Sequence, residues 1–158
     1  MVKKFKQWSW LGLVISLFAP ITYADGLTFG AKTGPMMIDR SGFDDPINAG
    51  IAIGSELGVV LGDLGIEGEF TTTMNKGSDP FNKDISIDTI AAYATYRSPG
   101  IVYLKARGGF LRWDSEGEND TNPSLGIGLG FSLAVVKIEV EYTQVDKHIN
   151  FLSVGVQF

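Results

Sequence analysis

The sequence predicts an all-β fold, a single eight-stranded antiparallel up-and-down barrel that crosses a membrane. Segments of about ten residues alternate apolar and polar side chains, which is the period-two pattern of strands with one apolar face. Long and short connections follow one another in turn, as in membrane barrels with longer loops at one end. The segment Phe151 to Phe158 keeps the alternation up to its last aromatic residue. No segment has a helical period of useful length.

Residues 1–24 are predicted to be a cleaved signal peptide. Three lysines precede a short apolar run, Trp8 to Phe18, and Thr22-Tyr23-Ala24 offers the small residues that a signal peptidase requires. The run is too short for a membrane-spanning helix, which needs about 20 residues. We therefore expect an exported protein whose barrel domain comprises residues 25–158.

Composition restricts the possible functions. The 13 basic residues fall to 10 without the three lysines of the signal peptide, against 18 acidic residues. This balance argues against nucleic acid as a partner, because phosphate binding needs a basic surface. The sequence has no cysteine and one histidine, which excludes a metal site of cysteines or of several histidines. No cofactor is predicted.

The eight predicted strands follow from the residue types on their two faces. They are Leu27 to Gly34, Asn48 to Val60, Leu64 to Thr73, Ile85 to Arg97, Ile101 to Arg112, Ser124 to Leu133, Val136 to Thr143 and Phe151 to Phe158. The first sets leucine and phenylalanine against glycine and lysine, the second isoleucines against glycines, and the third isoleucine and phenylalanine against glutamates. The fourth has apolar residues on both parities, so its register stays open.

The last four strands alternate more clearly. The fifth sets valine, leucine and phenylalanine against lysine and arginine, and the sixth sets leucines, isoleucine and phenylalanine against glycines and serines. The seventh opposes valines, isoleucine and tyrosine to lysine and glutamates, and the eighth opposes leucine and valines to serine, glycine and glutamine. The predicted loops are Pro35 to Pro46, Asn75 to Asp84, Trp113 to Pro123 and, shorter, Gln144 to Ile149. The turns between them contain two or three residues, and both ends of the mature chain should lie on the periplasmic side.

The polar face of these strands is predicted to point into the barrel. It carries many glycines and serines, which suit a narrow, filled interior, whereas a solvated outer face has no reason to avoid long side chains. Charges on this face must then pair with one another, since a buried charge is tolerated only with a partner. The predicted interior charge network consists of Lys32, Glu56, Glu67, Glu69, Lys105, Arg107, Lys137, Glu139 and Glu141. The alternative is a soluble periplasmic barrel that binds a small apolar ligand and has its polar face outward.

These features resemble the small OmpA/OmpX-type outer-membrane barrels and the wider porin-like family of outer-membrane β-barrel domains. The resemblance covers nearly all of residues 25–158 and is one of architecture. It implies location in the outer membrane, with lipid and lipopolysaccharide as surroundings and a monomeric state. It also implies that the terminal strand, with Leu152, Val154, Val156 and Phe158 on its lipid face, is the signal read by the barrel-assembly machinery.

The implied role is non-enzymatic: structural, surface-interacting or weakly permeable. His148 has Asp146 nearby in sequence and Ser153 five residues on, which leaves a lipid-modifying barrel enzyme as a further alternative. One histidine in a loop does not establish such a site, and no catalytic residue is predicted. The acidic run from Asp114 to Asp120 lacks the glycine and distal glutamate of an EF-hand loop. Breaking ion pairs around Lys105 and Arg107 is a possible route to a narrow conductance.

Overall fold

A computed structural model describes residues 26–158, and the predicted signal peptide lies outside the described residues. Ten strands follow one another along the chain. They are β1 (Leu27–Ile38), β2 (Ile47–Val59), β3 (Gly62–Asn75), β4 (Gly77–Ser78), β5 (Asp84–Ile85), β6 (Asp88–Arg97), β7 (Val102–Ser115), β8 (Glu118–Leu133), β9 (Val136–Asp146) and β10 (Ile149–Gln157). Among these residues no helix is long and apolar enough to cross a membrane.

Eight of the strands form one closed antiparallel barrel, as the alternation predicted. The order around the barrel is β1, β2, β3, β6, β7, β8, β9, β10, and β10 pairs again with β1. Consecutive strands are therefore neighbours throughout, which is the up-and-down topology. The short strands β4 and β5 pair with each other in the loop between β3 and β6.

The structure fixes the register of the fourth predicted strand and shortens that strand at its beginning. The barrel strand β6 begins at Asp88, and Ile85 belongs to the separate strand β5. Along β6 the side chains of Thr89, Tyr93 and Arg97 are buried inside the barrel, and the intervening positions are exposed. The alternation was hidden in the sequence because alanines and aromatic residues occur on both faces.

The predicted long loop Trp113 to Pro123 and the shorter predicted link Gln144 to Ile149 are wrong. Residues Trp113 to Pro123 form a β-hairpin, because β7 and β8 remain paired up to Ser115 and Glu118. The turn residues Glu116 and Gly117 have φ angles of 46° and 95°, which suit a tight two-residue hairpin turn. In the same way, β9 and β10 extend through most of the predicted link from Gln144 to Ile149. At this end of the barrel the paired strands extend beyond the bilayer into water, and their side chains are polar. Polar side chains there therefore do not indicate a loop.

Two longer connections remain at the loop end of the barrel. Residues 39–46 join β1 to β2, and residues 76–87 join β3 to β6 through the β4–β5 hairpin. The two connections meet at a bridge between Asp44 and Ser78, whose backbone groups exchange hydrogen bonds of 2.8 and 3.2 Å. The opposite end has turns of two to four residues. By the usual orientation of bacterial barrels, the loop end is extracellular.

Candidate functional site

The outer surface of the barrel is apolar where a bilayer would surround it. On β8 the side chains of Leu125, Ile127, Leu129, Phe131 and Leu133 point outward and are 42–68% exposed. The alternating positions Ser124, Gly126, Gly128, Gly130 and Ser132 face inward along the same strand. The same division holds on β9 and β10, where Val140, Tyr142, Leu152 and Val154 are exposed. An exposed apolar surface around the whole barrel is incompatible with the soluble alternative, which needs a polar outer face.

The predicted charged residues lie together in the periplasmic half of the interior. All nine belong to one network of ion pairs, and a tenth member, Arg97, joins them. The cations are Lys32, Arg97, Lys105, Arg107 and Lys137, and the carboxylates are Glu56, Glu67, Glu69, Glu139 and Glu141. Five positive and five negative side chains therefore balance inside the barrel.

Arg107 and Lys105 lie at the centre of this network. The Arg107 guanidinium contacts Glu67 at 3.1 Å and Glu141 at 2.8 Å, and it also pairs with Glu69. The Lys105 ammonium lies 2.9 Å from both Glu139 and Glu141. Lys105 also lies 3.4 Å from Glu67 of β3. Both cations therefore contact carboxylates of β3 and of β9, and the network ties opposite walls of the barrel together. Buried charges are tolerated only when they are paired with opposite charges in this way.

Arg97 is the member that sequence reasoning missed. Its Nε donates a 2.7 Å hydrogen bond to Glu139, and its Nη2 donates one of 2.7 Å to Gln157. It also pairs with Glu56. A signal was present in the sequence, because the predicted network held five glutamates and only four cations. A neutral interior required one more inward cation. Arg97 supplies it, at the end of the predicted strand whose register was open.

A second, apolar layer closes the extracellular half of the interior. Met36, Ile87, Leu111, Val145 and Phe151 pack together there, each no more than 1% exposed. Tyr93 lies between the two layers, since its ring packs in the apolar cluster while the Arg107 guanidinium carbon sits 4.1 Å from the ring centroid. Below this layer, the charged network leaves a cavity of only ≈ 30 Å³, about the space of one water molecule. Polar and apolar layers together fill the barrel.

Above the apolar layer lies a larger cavity at the extracellular mouth. It has a volume of ≈ 360 Å³, and both Asp146 and His148 line it. Ser153 lies elsewhere, beside the small cavity of the charged network. The structure therefore does not bring together the serine, histidine and aspartate that the sequence had placed close along the chain. Within residues 26–158, no group of three or more His, Cys, Asp or Glu side chains is arranged to hold a metal ion.

A closed antiparallel barrel with an apolar outer belt and an interior filled by a charged layer and an apolar layer is an integral outer-membrane β-barrel. Solved structures with this fold include Neisserial surface protein A (NspA), with a TM-score of 0.59 at 19% sequence identity, over 85% of this chain and 96% of that one. The attachment invasion locus protein Ail of Yersinia pestis matches with a TM-score of 0.54 at 18% identity, over 84% of this chain and 97% of Ail. Ail in complex with the heparin analogue sucrose octasulfate matches with a TM-score of 0.52 at 17% identity, over 84% and 97% of the two chains.

At these identities the similarity shows the fold alone. No protein-family model matches the chain, and no curated protein matches it.

Proposed function

We propose that this barrel is a non-enzymatic outer-membrane protein that acts through its extracellular end by binding a partner at the cell surface. The observation that supports this most directly is the filled interior. Fully buried apolar side chains such as Leu111 and Phe151 lie across the barrel above a neutral network of ion pairs. A role in permeability would need a water path through both layers.

Single-channel recording in planar bilayers tests the closed interior. We expect no discrete conductance steps from the purified barrel. The variants Arg107→Ala and Glu69→Ala should also remain silent, because opening the charged layer leaves the apolar layer of Leu111 and Phe151 in place. Reproducible channel openings in the unaltered protein would contradict the proposal and restore the permeability role.

The extracellular end is strongly acidic. The loops and projecting strand ends hold eleven carboxylates: Asp39, Asp44, Asp45, Asp79, Asp84, Asp88, Asp114, Glu116, Glu118, Asp120 and Asp146. They hold five cations: Arg40, Lys76, Lys83, Arg112 and Lys147. Ail has been solved with a sulfated heparin analogue, but an end with this charge repels sulfated polyanions. The charge instead favours a basic partner.

An exposed aromatic side chain is held at the tip of this acidic surface. Phe81 is 88% exposed and lies in a turn where the Asp79 carboxylate accepts 2.8 Å hydrogen bonds from the backbone N–H groups of Phe81 and Lys83. The Asp44–Ser78 bridge fixes the base of the same loop. An exposed aromatic residue on a fixed backbone turn is a typical anchor of protein interfaces, because little backbone entropy is lost when it is buried.

A binding measurement with charged peptides tests the surface role. The barrel in lipid nanodiscs should bind an immobilised peptide of alternating lysine and phenylalanine, and this binding should weaken as salt is raised. It should bind neither heparin nor the peptide in which glutamate replaces lysine. Phe81→Ser should weaken the binding at least about fivefold. Val60→Ser is the matched control, since Val60 is 99% exposed in a periplasmic turn. Equal binding of heparin, or equal effects of the two substitutions, would contradict the proposal.

The remaining parts of the proposal concern chemistry and assembly state. We propose that His148 has no catalytic role, because Ser153 lies with the interior network and not beside it. Lipid A from cells that produce His148→Ala should match lipid A from cells with the unaltered protein. We propose a monomer, since β1 and β10 pair to close the sheet and leave no strand edge in the described barrel.

A further inference from the structure

The cavity at the extracellular mouth has the size and lining of a small-molecule site. Its volume of ≈ 360 Å³ falls within the range of ligand pockets, about 300 to 1,000 Å³. It opens between the strand ends and the loop of residues 76–87. The interior below is filled, so its packing does not by itself account for a cavity at this position.

The floor of the cavity is apolar. It consists of Ile38, Ile85, Ile87, Trp113 and Ile149, and four of these residues pack directly on the buried apolar layer of the barrel. The floor therefore rests on the packed interior, and the loop of residues 76–87 contributes Ile85 and Ile87 to it. An apolar surface at the bottom of a water-facing cavity favours a ligand with an apolar or aromatic body.

The rim of the cavity is acidic. Its carboxylates are Asp79, Asp84, Glu116, Glu118 and Asp146, and its cations are Arg40 and Lys83. The Lys83 ammonium lies 2.7 Å from the Glu116 carboxylate, and this pair cancels one charge of each sign. Four carboxylates and one cation remain. The field at the mouth is therefore negative, which attracts cations and repels anions.

We propose that this cavity binds a small organic cation, with the apolar body of the ligand on the isoleucine floor and its positive group toward Glu118 and Asp146. The Trp113 ring adds a surface on which a cation can stack. An anion would meet the acidic rim, and a neutral apolar molecule would gain from the floor alone. This site is distinct from the Phe81 surface, and its test does not depend on the proposed function.

Intrinsic fluorescence provides a direct test. Trp113 is the only tryptophan among residues 26–158, so its emission reports on the cavity. The barrel, folded in a nonionic detergent, is titrated with benzyltrimethylammonium, and benzyl alcohol, phenylmethanesulfonate and tetramethylammonium serve as matched probes. We expect a saturable change with benzyltrimethylammonium that weakens as salt is raised. The other three probes should bind at least about tenfold more weakly, because each lacks the charge or the apolar body.

Variants locate the site. Glu118→Gln combined with Asp146→Asn should weaken binding about tenfold. Asp114→Asn is the control for the Glu118→Gln change, because it removes one carboxylate charge from the same β7–β8 hairpin at a residue that does not line the cavity. Phe81→Ala should leave the titration unchanged. Heat-modifiable gel migration verifies that each variant is folded. If the double variant does not fold, the salt dependence of benzyltrimethylammonium binding to the unaltered protein is the test.

Three results would overturn the inference: no saturable change, equal binding of the neutral or anionic probe, or equal loss in Asp114→Asn and the double variant. A fluorescence change that rises with protein concentration and not with probe would instead indicate a second copy of the chain at the mouth, and would also contradict the proposal.

Discussion

Gly130 lies directly across the β7–β8 ladder from Tyr103, and the tyrosine ring occupies the space that a side chain at residue 130 would need. The Tyr103 hydroxyl group reaches past it to donate a 2.8 Å hydrogen bond to Glu139. Gly126 repeats the arrangement, since it lies opposite Arg107 and the Arg107 side chain occupies the space that a side chain at residue 126 would need. Gly130 and Gly126 of β8 thus leave the space into which Tyr103 and Arg107 of β7 fold.

Gly130→Ala should therefore destabilise the barrel. A methyl group at this position overlaps the Tyr103 ring, and overpacking of this kind costs about 1–3 kcal/mol. Urea unfolding of the barrel in detergent, followed by gel migration, measures the loss. Gly68→Ala is the control, because the nearest atom to a methyl group there would be 3.8 Å away, at ordinary contact distance. Equal unfolding midpoints for the two variants would show that Tyr103 moves aside without cost.

Removal of Arg107 should be more damaging. Arg107→Met leaves Glu69 and Glu141 with less compensation in a buried site, and breaking a buried ion pair from one side costs about 3–5 kcal/mol. Adding Glu69→Gln restores charge balance and should recover a substantial part of this loss. The same unfolding measurement gives the coupling between the two positions.

Arg112→Met is the control for this experiment. Arg112 lies on the same strand, but its side chain is exposed and has only a 3.5 Å contact to Asn119. Its replacement should change the free energy of unfolding by less than about 0.5 kcal/mol. If the Glu69→Gln addition further destabilised Arg107→Met, the network would not behave as a balanced set of charges.

The periplasmic half of the barrel was predictable from the sequence because its two faces differ in polarity. Glu67, Lys105 and Glu141 are inward and Ile66, Leu104 and Val140 outward, so the two-residue period of the strand reveals both the strand and its orientation. The glycines and serines that share the polar face with these charges then indicated a narrow, filled interior.

The extracellular half was less predictable for the same physical reason. Here the interior is apolar, so inward residues such as Met36 and Ile38 no longer contrast with an apolar outer face. The segment from Pro35 was consequently predicted as loop, although β1 continues to Ile38. The mouth cavity was also missed, because Ile87 and Trp113 come from a predicted strand and a predicted loop and meet only in the folded barrel.

The ion pair between Lys83 and Glu116 gives a prediction for alkaline pH. The hydrogen bond to the Glu116 carboxylate, together with its negative charge, raises the pKa of Lys83 above its ordinary value of 10.5. Because the pKa is higher in the folded protein, the pair contributes stability that is fully present below pH 10.5 and is lost as the pH rises through the raised value. The exposed position makes this contribution small.

An NMR titration of the Lys83 side chain measures this shift. Glu116→Gln should lower the Lys83 pKa toward 10.5, while Glu118→Gln, on the same hairpin, should leave most of the shift in place. If Glu116→Gln had no effect, the loop of residues 76–87 would not be held against the β7–β8 hairpin in solution.

The last prediction concerns Phe158, which joins the two ends of the barrel. Its backbone N–H donates a 2.8 Å hydrogen bond to Phe29, and its carbonyl oxygen accepts one of 3.0 Å from the same residue. We propose that the side chain has a separate role, as part of the outward row Leu152, Val154 and Val156 that the barrel-assembly machinery reads. Deleting Phe158 removes both the hydrogen bonds and the side chain, whereas Phe158→Ser removes the side chain alone.

The two variants separate stability from assembly. Deletion should lower the free energy of unfolding by about 1–3 kcal/mol, the worth of two hydrogen bonds, and Phe158→Ser should lower it less. Both should reduce the amount of folded barrel in the outer membrane several-fold, because both remove the aromatic group. Phe110→Ala, which removes another lipid-facing aromatic side chain, should leave the yield near normal. A normal yield of Phe158→Ser would confine the role of this residue to its hydrogen bonds with Phe29, since the assembly machinery would then have recognised a strand without its terminal aromatic group.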